Sequence, residues 1–390
     1  MPRSRSTRLT GAAGRRTAGP AGGRAPAPDG PGARRRAGPT AALDLALQGG
    51  GSHGAFTWGV LDRLIEDDGI PIAGVSGTSA GALNAAVMAS GWAQGGRGGA
   101  REALRAFWLD VSGQGACFGS PATGWPHVFG INPFAGLGPA VPDAGPVFAW
   151  LQPFLRAFSP YQFNPFDLNP LRVVVQRHVQ PAALRDGPLE LFVTATAVRT
   201  GQPRVFQRTD LSIDALLASA CLPQLFRAVV VDGEPYWDGG YSGNPAIWPL
   251  IYETDALDVL LVRINPLARP DTPDTADEIA DRVNEITFNA GLVSEMRAIA
   301  FVQRLVHEGR LAEGAYKDLR LHMVADDEGL APLHPSSKLN TDRAFLERLH
   351  ALGRGAAARW LRRHRADIGR RATLDPAATF LAPRRVETAR

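Results

Sequence analysis

Ser79 lies in Gly77-Thr78-Ser79-Ala80-Gly81, a Gly-x-Ser-x-Gly turn between the apolar run Ile72-Ala73-Gly74-Val75 and a helix-like stretch from Ala80 to Met88. In such a nucleophile elbow the small residues two places before and after the serine let a strand and a helix approach closely, and the tight turn lifts the hydroxyl clear of the backbone. A serine there sits at a helix N-terminus, where free N–H groups and the macrodipole favour the negative charge of acyl transfer. Two further clusters are candidates for the same chemistry. Gly49-Gly50-Gly51-Ser52-His53-Gly54 offers consecutive unhindered N–H groups suited to an oxyanion hole, and Asp238-Gly239-Gly240 offers a carboxylate beside two glycines that allow close backbone approach. Asp238 is the candidate base. Asp232-Gly233, by contrast, lies between matched apolar runs and is explained by a hairpin turn.

The glycine cluster also matches Gly-x-Gly-x-x-Gly formally. A dinucleotide site needs an acid at the end of the next strand, about 20 residues on. Here the acids Glu66, Asp67 and Asp68 precede that strand, and its end carries the elbow.

The elements that must position these groups are legible from periodicity. Leu43, Leu45 and Leu47 alternate as in a strand, and Phe56, Val60, Leu61, Leu64 and Ile65 recur at helical spacing, so the glycines join a strand to a helix. After the elbow helix, 89–99 reads as a glycine-rich loop and 101–111 as a helix. Strands are predicted at 189–198 and 204–206, a short helix at 213–220, and a hairpin over 228–237 that delivers Asp238 at a strand's exit. A buried strand at 256–264 precedes a long helix in which Ile279, Val283, Ile286, Val293, Met296, Ile299 and Val302 are expected to pack on the sheet. A last strand at 319–324 and a C-terminal helix marked by Phe345, Leu346, Leu349 and Leu352 complete the scaffold.

Charge is unevenly placed. Residues 1–40 hold nine Arg and one Asp, so the net +4 of the 390-residue chain leaves −4 on residues 41–390. That Arg/Pro/Gly-rich tail lacks apolar residues to pack and is expected to be disordered. It has no apolar core of signal-peptide length, and no 18-residue apolar run occurs in the chain, so a cytoplasmic protein is expected, with peripheral contact at a membrane open to it. Nucleic acid is not expected as a partner. The segment 113–163 has eight prolines and seven Phe but only Asp143 and Arg156 as charges, which suits a lid over an acyl pocket, a membrane-facing surface or a loop buried against the core. Cys117 and Cys221 form no metal-ligand spacing.

A serine nucleophile usually takes a histidine base, and the order Ser…Asp…His would recruit His322 or His334 into an α/β-hydrolase triad. That fold places several strands before its elbow strand, whereas only one precedes it here. The glycine loop, the elbow and Asp238-Gly239-Gly240 in this order, with Val198-Arg199-Thr200-Gly201, Ala218-Ser219-Ala220-Cys221-Leu222-Pro223 and Asn244-Pro245, resemble the patatin-like phospholipases. The resemblance implies an α/β fold, a three-layer α/β/α sandwich with a mostly parallel central sheet, and a lipid acyl hydrolase working by a Ser–Asp dyad without metal or organic cofactor. It implies Ser79 as nucleophile, Asp238 as base, and the loop Gly49 to Gly54 as oxyanion hole, with the N–H groups of Gly50, Gly51 and Ser52 as donors. The substrate would be a phospholipid or related lipid. The family usually has Lys or Arg where this chain has His53, and a histidine there is expected to make activity pH-dependent. An acyltransferase or thioesterase using the same serine, and a non-catalytic lipid-binding protein, are the alternatives. The organisation expected is a tail over 1–40, a hydrolase domain over 41–365 with an insertion at about 113–165, and a flexible tail over 366–390.

Overall fold

A computed structural model of the chain describes residues 42–113, 158–269, 271–312, 314–333 and 335–382. The Arg-rich tail and most of the aromatic insertion, with Cys117, lie outside the described residues, as does His334.

Strand β1 (Leu43–Leu47) is followed by the glycine loop and helix α1 (Gly54–Ile65), then β2 (Ile72–Thr78) and helix α2 (Ala80–Gly113). Helix α3 (Pro170–His178) leads to β3 (Glu190–Ala197), β4 (Pro203–Gln207) and helix α4 (Ile213–Ser219). The hairpin β5 (Val229–Val231) and β6 (Glu234–Asp238) precedes β7 (Asp258–Val262), helix α5 (Ala276–His307), β8 (Arg320–Val324) and helix α6 (Arg343–His364). The strands form one sheet in the order β5-β6-β3-β2-β1-β7-β8, with β4 paired to β3 off that path. The central pairs β3/β2, β2/β1, β1/β7 and β7/β8 are parallel, and β4, β5 and β6 add antiparallel pairs at one side.

The period of two along each strand sorts side chains to opposite faces and so builds two cores. Leu43, Leu45, Leu47, Leu260 and Val262 face one core with α1, α2 and α6, while Ala46, Val259, Leu261 and Phe192 face a second with Leu292, Met296 and Ile299 of α5. This is the expected α/β/α arrangement, with the central strands buried on both faces.

Three local readings need correction. The stretch 89–99 is helical apart from Gly95 and Gly96, which leave helical geometry and kink α2 instead of opening a loop. In α5, Ile279, Val283 and Ile286 are about half exposed, and the helix packs through Phe288, Leu292, Met296 and Ile299. An apolar stripe at helical spacing does not itself say which half of a long helix reaches the sheet. The chain beyond Asp367, expected to be flexible, is packed as far as it is described: Thr373 and Leu374 donate backbone hydrogen bonds to Leu321 of β8, and Leu374 is buried.

Helices α1 and α6 touch backbone to backbone through two glycines. A Cβ at Gly353 would lie 2.0 Å from the Phe56 carbonyl oxygen, and one at Gly59 would lie 2.0 Å from that of His350. Gly353→Ala should therefore separate the helices at a cost of about 1–3 kcal/mol, more than the small gain in helix propensity returns. Urea unfolding that finds the variant as stable as wild type would show that the contact relaxes freely.

Candidate active site

Strand register explains how three distant clusters meet. Thr78 at the end of β2 stands opposite Thr194 of β3, and Asp238 at the end of β6 stands opposite Ala195, so Ser79 and Asp238 leave the sheet on either side of β3 at nearly the same level. On the other side of β2, Leu47 pairs with Gly77, which brings Gln48 and Gly49 beside the elbow. The meeting point lies outside the carboxyl ends of the parallel strands, where open α/β sheets place their ligands.

The glycines of all three clusters are positions of close approach. A Cβ at Gly81 would sit 2.2 Å from the Leu47 carbonyl oxygen, one at Gly77 2.7 Å from the backbone of Gly81, and one at Gly49 2.5 Å from the Thr78 oxygen. Gly239 comes as near to Thr194, Gly240 to the Phe288 ring and Gly54 to Ala80. Ser79 itself has φ +54°, the left-handed region that a side chain rarely occupies. Its backbone N–H donates to Ser219 Oγ at 2.9 Å, and that hydroxyl donates to the Thr194 oxygen at 2.6 Å. Nothing in the sequence marks Ser219 beyond its place in a motif.

Asp238 is fully buried. Oδ1 accepts from the Gly240 N–H at 2.7 Å, while Oδ2 has no hydrogen-bond partner. The Ser79 hydroxyl is near enough to favour the charged carboxylate, yet stops short of a formed hydrogen bond to Oδ2. Catalytic hydrogen bonds are commonly long before substrate binds. Burial pushes the Asp238 carboxyl up to about 7, against the opposing pull of the Gly240 N–H, Ser79 and the Lys338 charge.

The glycine loop is held by amides. Gly49 N–H donates to Asn244 Oδ1 at 2.6 Å, and its carbonyl accepts from Asn265 Nδ2 at 2.7 Å. Gln48 Oε1 accepts from the N–H groups of Ile264 and Asn265, and Gln48 Nε2 donates to Asn289. Within the loop, His53 N–H donates to the Gly50 oxygen and Gly54 N–H to those of Gly51 and Ser52. Of the six backbone donors in Gly49 to Gly54, those of Gly50, Gly51 and Ser52 are taken up by no hydrogen bond among the described residues. Gly51 has φ +57°.

His53 does not behave as its position suggested. It is buried, its Nε2 shares a 2.8 Å hydrogen bond with Ser337 Oγ, and burial, reinforced by the charges of Lys338 and Arg269, lowers it to about 3. Burial thus favours the neutral ring over the charged one.

The other described histidines are paired away from Ser79. His322 lies buried on β8 between Asp258 and Thr373, at the far side of the sheet. His178, His307, His350 and His364 bond Asp110, Asp318, Asp62 and Asp367. Cys221 is a buried thiol pushed up to about 12 by desolvation and cannot serve as a thiolate.

Ser79 opens onto a cavity of about 90 Å³. Leu83, Phe107, Trp108, Val111, Leu171 and Leu222 are among its apolar walls, and Gly51, Ser52, Ser79 and Lys338 also line it. Among the described residues, no cluster of His, Cys, Asp or Glu has a metal-binding arrangement, and no helix is long and apolar enough to cross a membrane.

Ser79 on its left-handed turn lines an apolar cavity, and the Asp238 carboxyl beside it keeps one oxygen without a hydrogen-bond partner. The patatin-like phospholipase family model matches residues 45–251, and the chain belongs to that family. Among solved structures, VipD from Legionella pneumophila is similar at 13% identity and a TM-score of 0.33, over 80% of this chain and 67% of that one. The type III effector ExoU is similar at 18% identity and a TM-score of 0.27, over 82% of this chain and 54% of that one. No curated protein matches the sequence.

The raised Asp238 carboxyl has a consequence for stability. Its folded value lies above its unfolded one, so between about pH 4 and pH 7 the folded state holds the extra proton, and stability from this group falls as pH rises through that window. Asp238→Asn should therefore be more stable than wild type at pH 8, by on the order of 2–4 kcal/mol, and nearly equal to it at pH 4. A denaturation series that finds no stabilisation at pH 8 would contradict the assignment of a strained, desolvated carboxylate.

Proposed function

We propose that this protein hydrolyses carboxylic esters of phospholipids or related lipids through a Ser79–Asp238 dyad and an acyl-Ser79 intermediate. The observation that carries the proposal is the meeting of the Ser79 hydroxyl and the Asp238 carboxyl beside three unclaimed N–H groups at an apolar cavity.

In the reaction Ser79 Oγ attacks the ester carbonyl carbon as its proton passes to Asp238 Oδ2. The carbonyl oxygen gains the negative charge and is met by the N–H groups of Gly50, Gly51 and Ser52, since Gly49, His53 and Gly54 have already spent theirs. Collapse breaks the bond to the alcohol oxygen, which leaves with the proton from Asp238. Asp238 then takes a proton from water, the hydroxide attacks the acyl carbon, and the proton returns to Ser79 Oγ as the carboxylic acid departs. The histidine-dependent acyltransferase alternative finds little support, because the six described histidines are committed to other partners.

The cavity walls suit an acyl chain. Next to the wall residue Leu171, the exposed Phe166, Leu168 and Val173 would lie against a lipid surface. The active form of Asp238 is the carboxylate, so kcat/KM should fall as pH drops through about 7. Wild type should release fatty acid from phospholipid vesicles, and Ser79→Ala and Asp238→Asn should each lose at least about a thousandfold in kcat. Unchanged turnover in Asp238→Asn would place the base elsewhere, and unchanged turnover in Ser79→Ala would end the proposal.

A further inference from the structure

Forty of the 42 basic residues in this chain are arginine; the two lysines are Lys317 and Lys338. Lys317 is a structural clamp whose ammonium donates to the backbone oxygens of Leu250, Thr254 and Ala256. Lys338 belongs to the short turn Pro335–Leu339, and no motif or spacing marks it.

The fold sets that turn on the glycine loop. The Lys338 carbonyl oxygen would be 2.3 Å from a Cβ at Gly51, and the adjacent Ser337 hydroxyl bonds the His53 ring. Lys338 lines the same cavity as Ser79, Gly51 and Ser52, and is the one charged residue among the described residues that do so. No carboxylate lies within ion-pair distance of its ammonium among the described residues. Glu285, Asp281 and Asp238 act on it from further away, with Arg269 opposing them. Of these acids, Glu285 is already held by Arg269 and Arg282.

Lys338 is partly withdrawn from water, and an ammonium so placed without a close counterion carries a cost that is recovered when an anion joins it. Burial indeed holds Lys338 below the usual lysine range. We propose that Lys338 is the specificity-determining residue of the cavity: its ammonium pairs with a phosphate carried close to the acyl chain, so that anionic and zwitterionic phospholipids are selected over neutral glycerides. The inference rests on the reading of the cavity as an acyl site. A lysine suits the role because its compact, rotatable donors can follow a phosphate oxygen.

The test uses the full chain carrying Ser79→Ala, so that binding is read without turnover. Calorimetry compares a monomeric short-chain lysophosphatidic acid, the neutral monoacylglycerol of the same chain, and inorganic phosphate. The lysophosphatidic acid should bind at least about tenfold more tightly than the monoacylglycerol, the ratio a single charge-assisted contact supplies. Adding Lys338→Met should erase that ratio while leaving monoacylglycerol binding within about twofold, which also shows that the cavity is still folded. Adding Lys338→Arg should restore most of the ratio. Equal losses for both lipids in Lys338→Met would make the residue structural and overturn the proposal. So would a preserved ratio, or inorganic phosphate that binds at Lys338 as tightly as the lipid. Failure of the hydrolase reading would show separately, as wild type that releases no fatty acid.

Discussion

The left-handed backbone of Ser79 is the constraint on which the site depends. A non-glycine residue in that region costs of order 1–3 kcal/mol, and the fold must hold it there. It does so from three sides. Gly77 and Gly81 allow the turn to close, Leu47 of β1 presses against Gly81, and Ser219 ties the Ser79 N–H to the Thr194 carbonyl of the neighbouring strand. With the turn fixed, helix α2 starts at Ala80 and the hydroxyl lies beside Asp238.

Around this point some backbone donors are paired and others are not. Gln48, Asn244, Asn265 and Asn289 form a buried amide network that claims the Gly49 N–H and carbonyl. A network of this kind fixes a loop firmly only when its members are satisfied. Here the Gly49 N–H and carbonyl are both paired, whereas the N–H groups that follow at Gly50, Gly51 and Ser52 are taken up by no hydrogen bond among the described residues. Asp238 is divided in the same way, with Oδ1 anchored by Gly240 and Oδ2 unclaimed.

Much of this was legible in the sequence, for physical reasons. Strand alternation in Leu43 to Leu47 and the close-approach glycines are local properties, so the elbow, the glycine loop and the exit of Asp238 could be read directly. What could not be read depends on contacts across long stretches of chain. Ser219, Asn244 and Asn265 act on the site from 140 to 217 positions away, through ordinary polar side chains with no periodic signal. His53 looked like an ionisable group because its burial is set by the turn at Ser337, 284 residues on. The exposed Ile279, Val283 and Ile286 show the same limit, since their pattern is helical whether or not the sheet reaches them. For Lys338 a signal did exist, in the near absence of lysine from a chain that uses arginine almost everywhere.

The most direct test of the central claim is covalent. Protein treated with a long-chain fluorophosphonate should gain one adduct by intact mass, and peptide mapping should place it on Ser79 Oγ. Labelling should slow as pH falls through about 7, where Asp238 takes up its proton. An adduct on another residue, or labelling of Ser79 that is independent of pH across that range and undiminished in Asp238→Asn, would contradict a serine activated by this carboxylate.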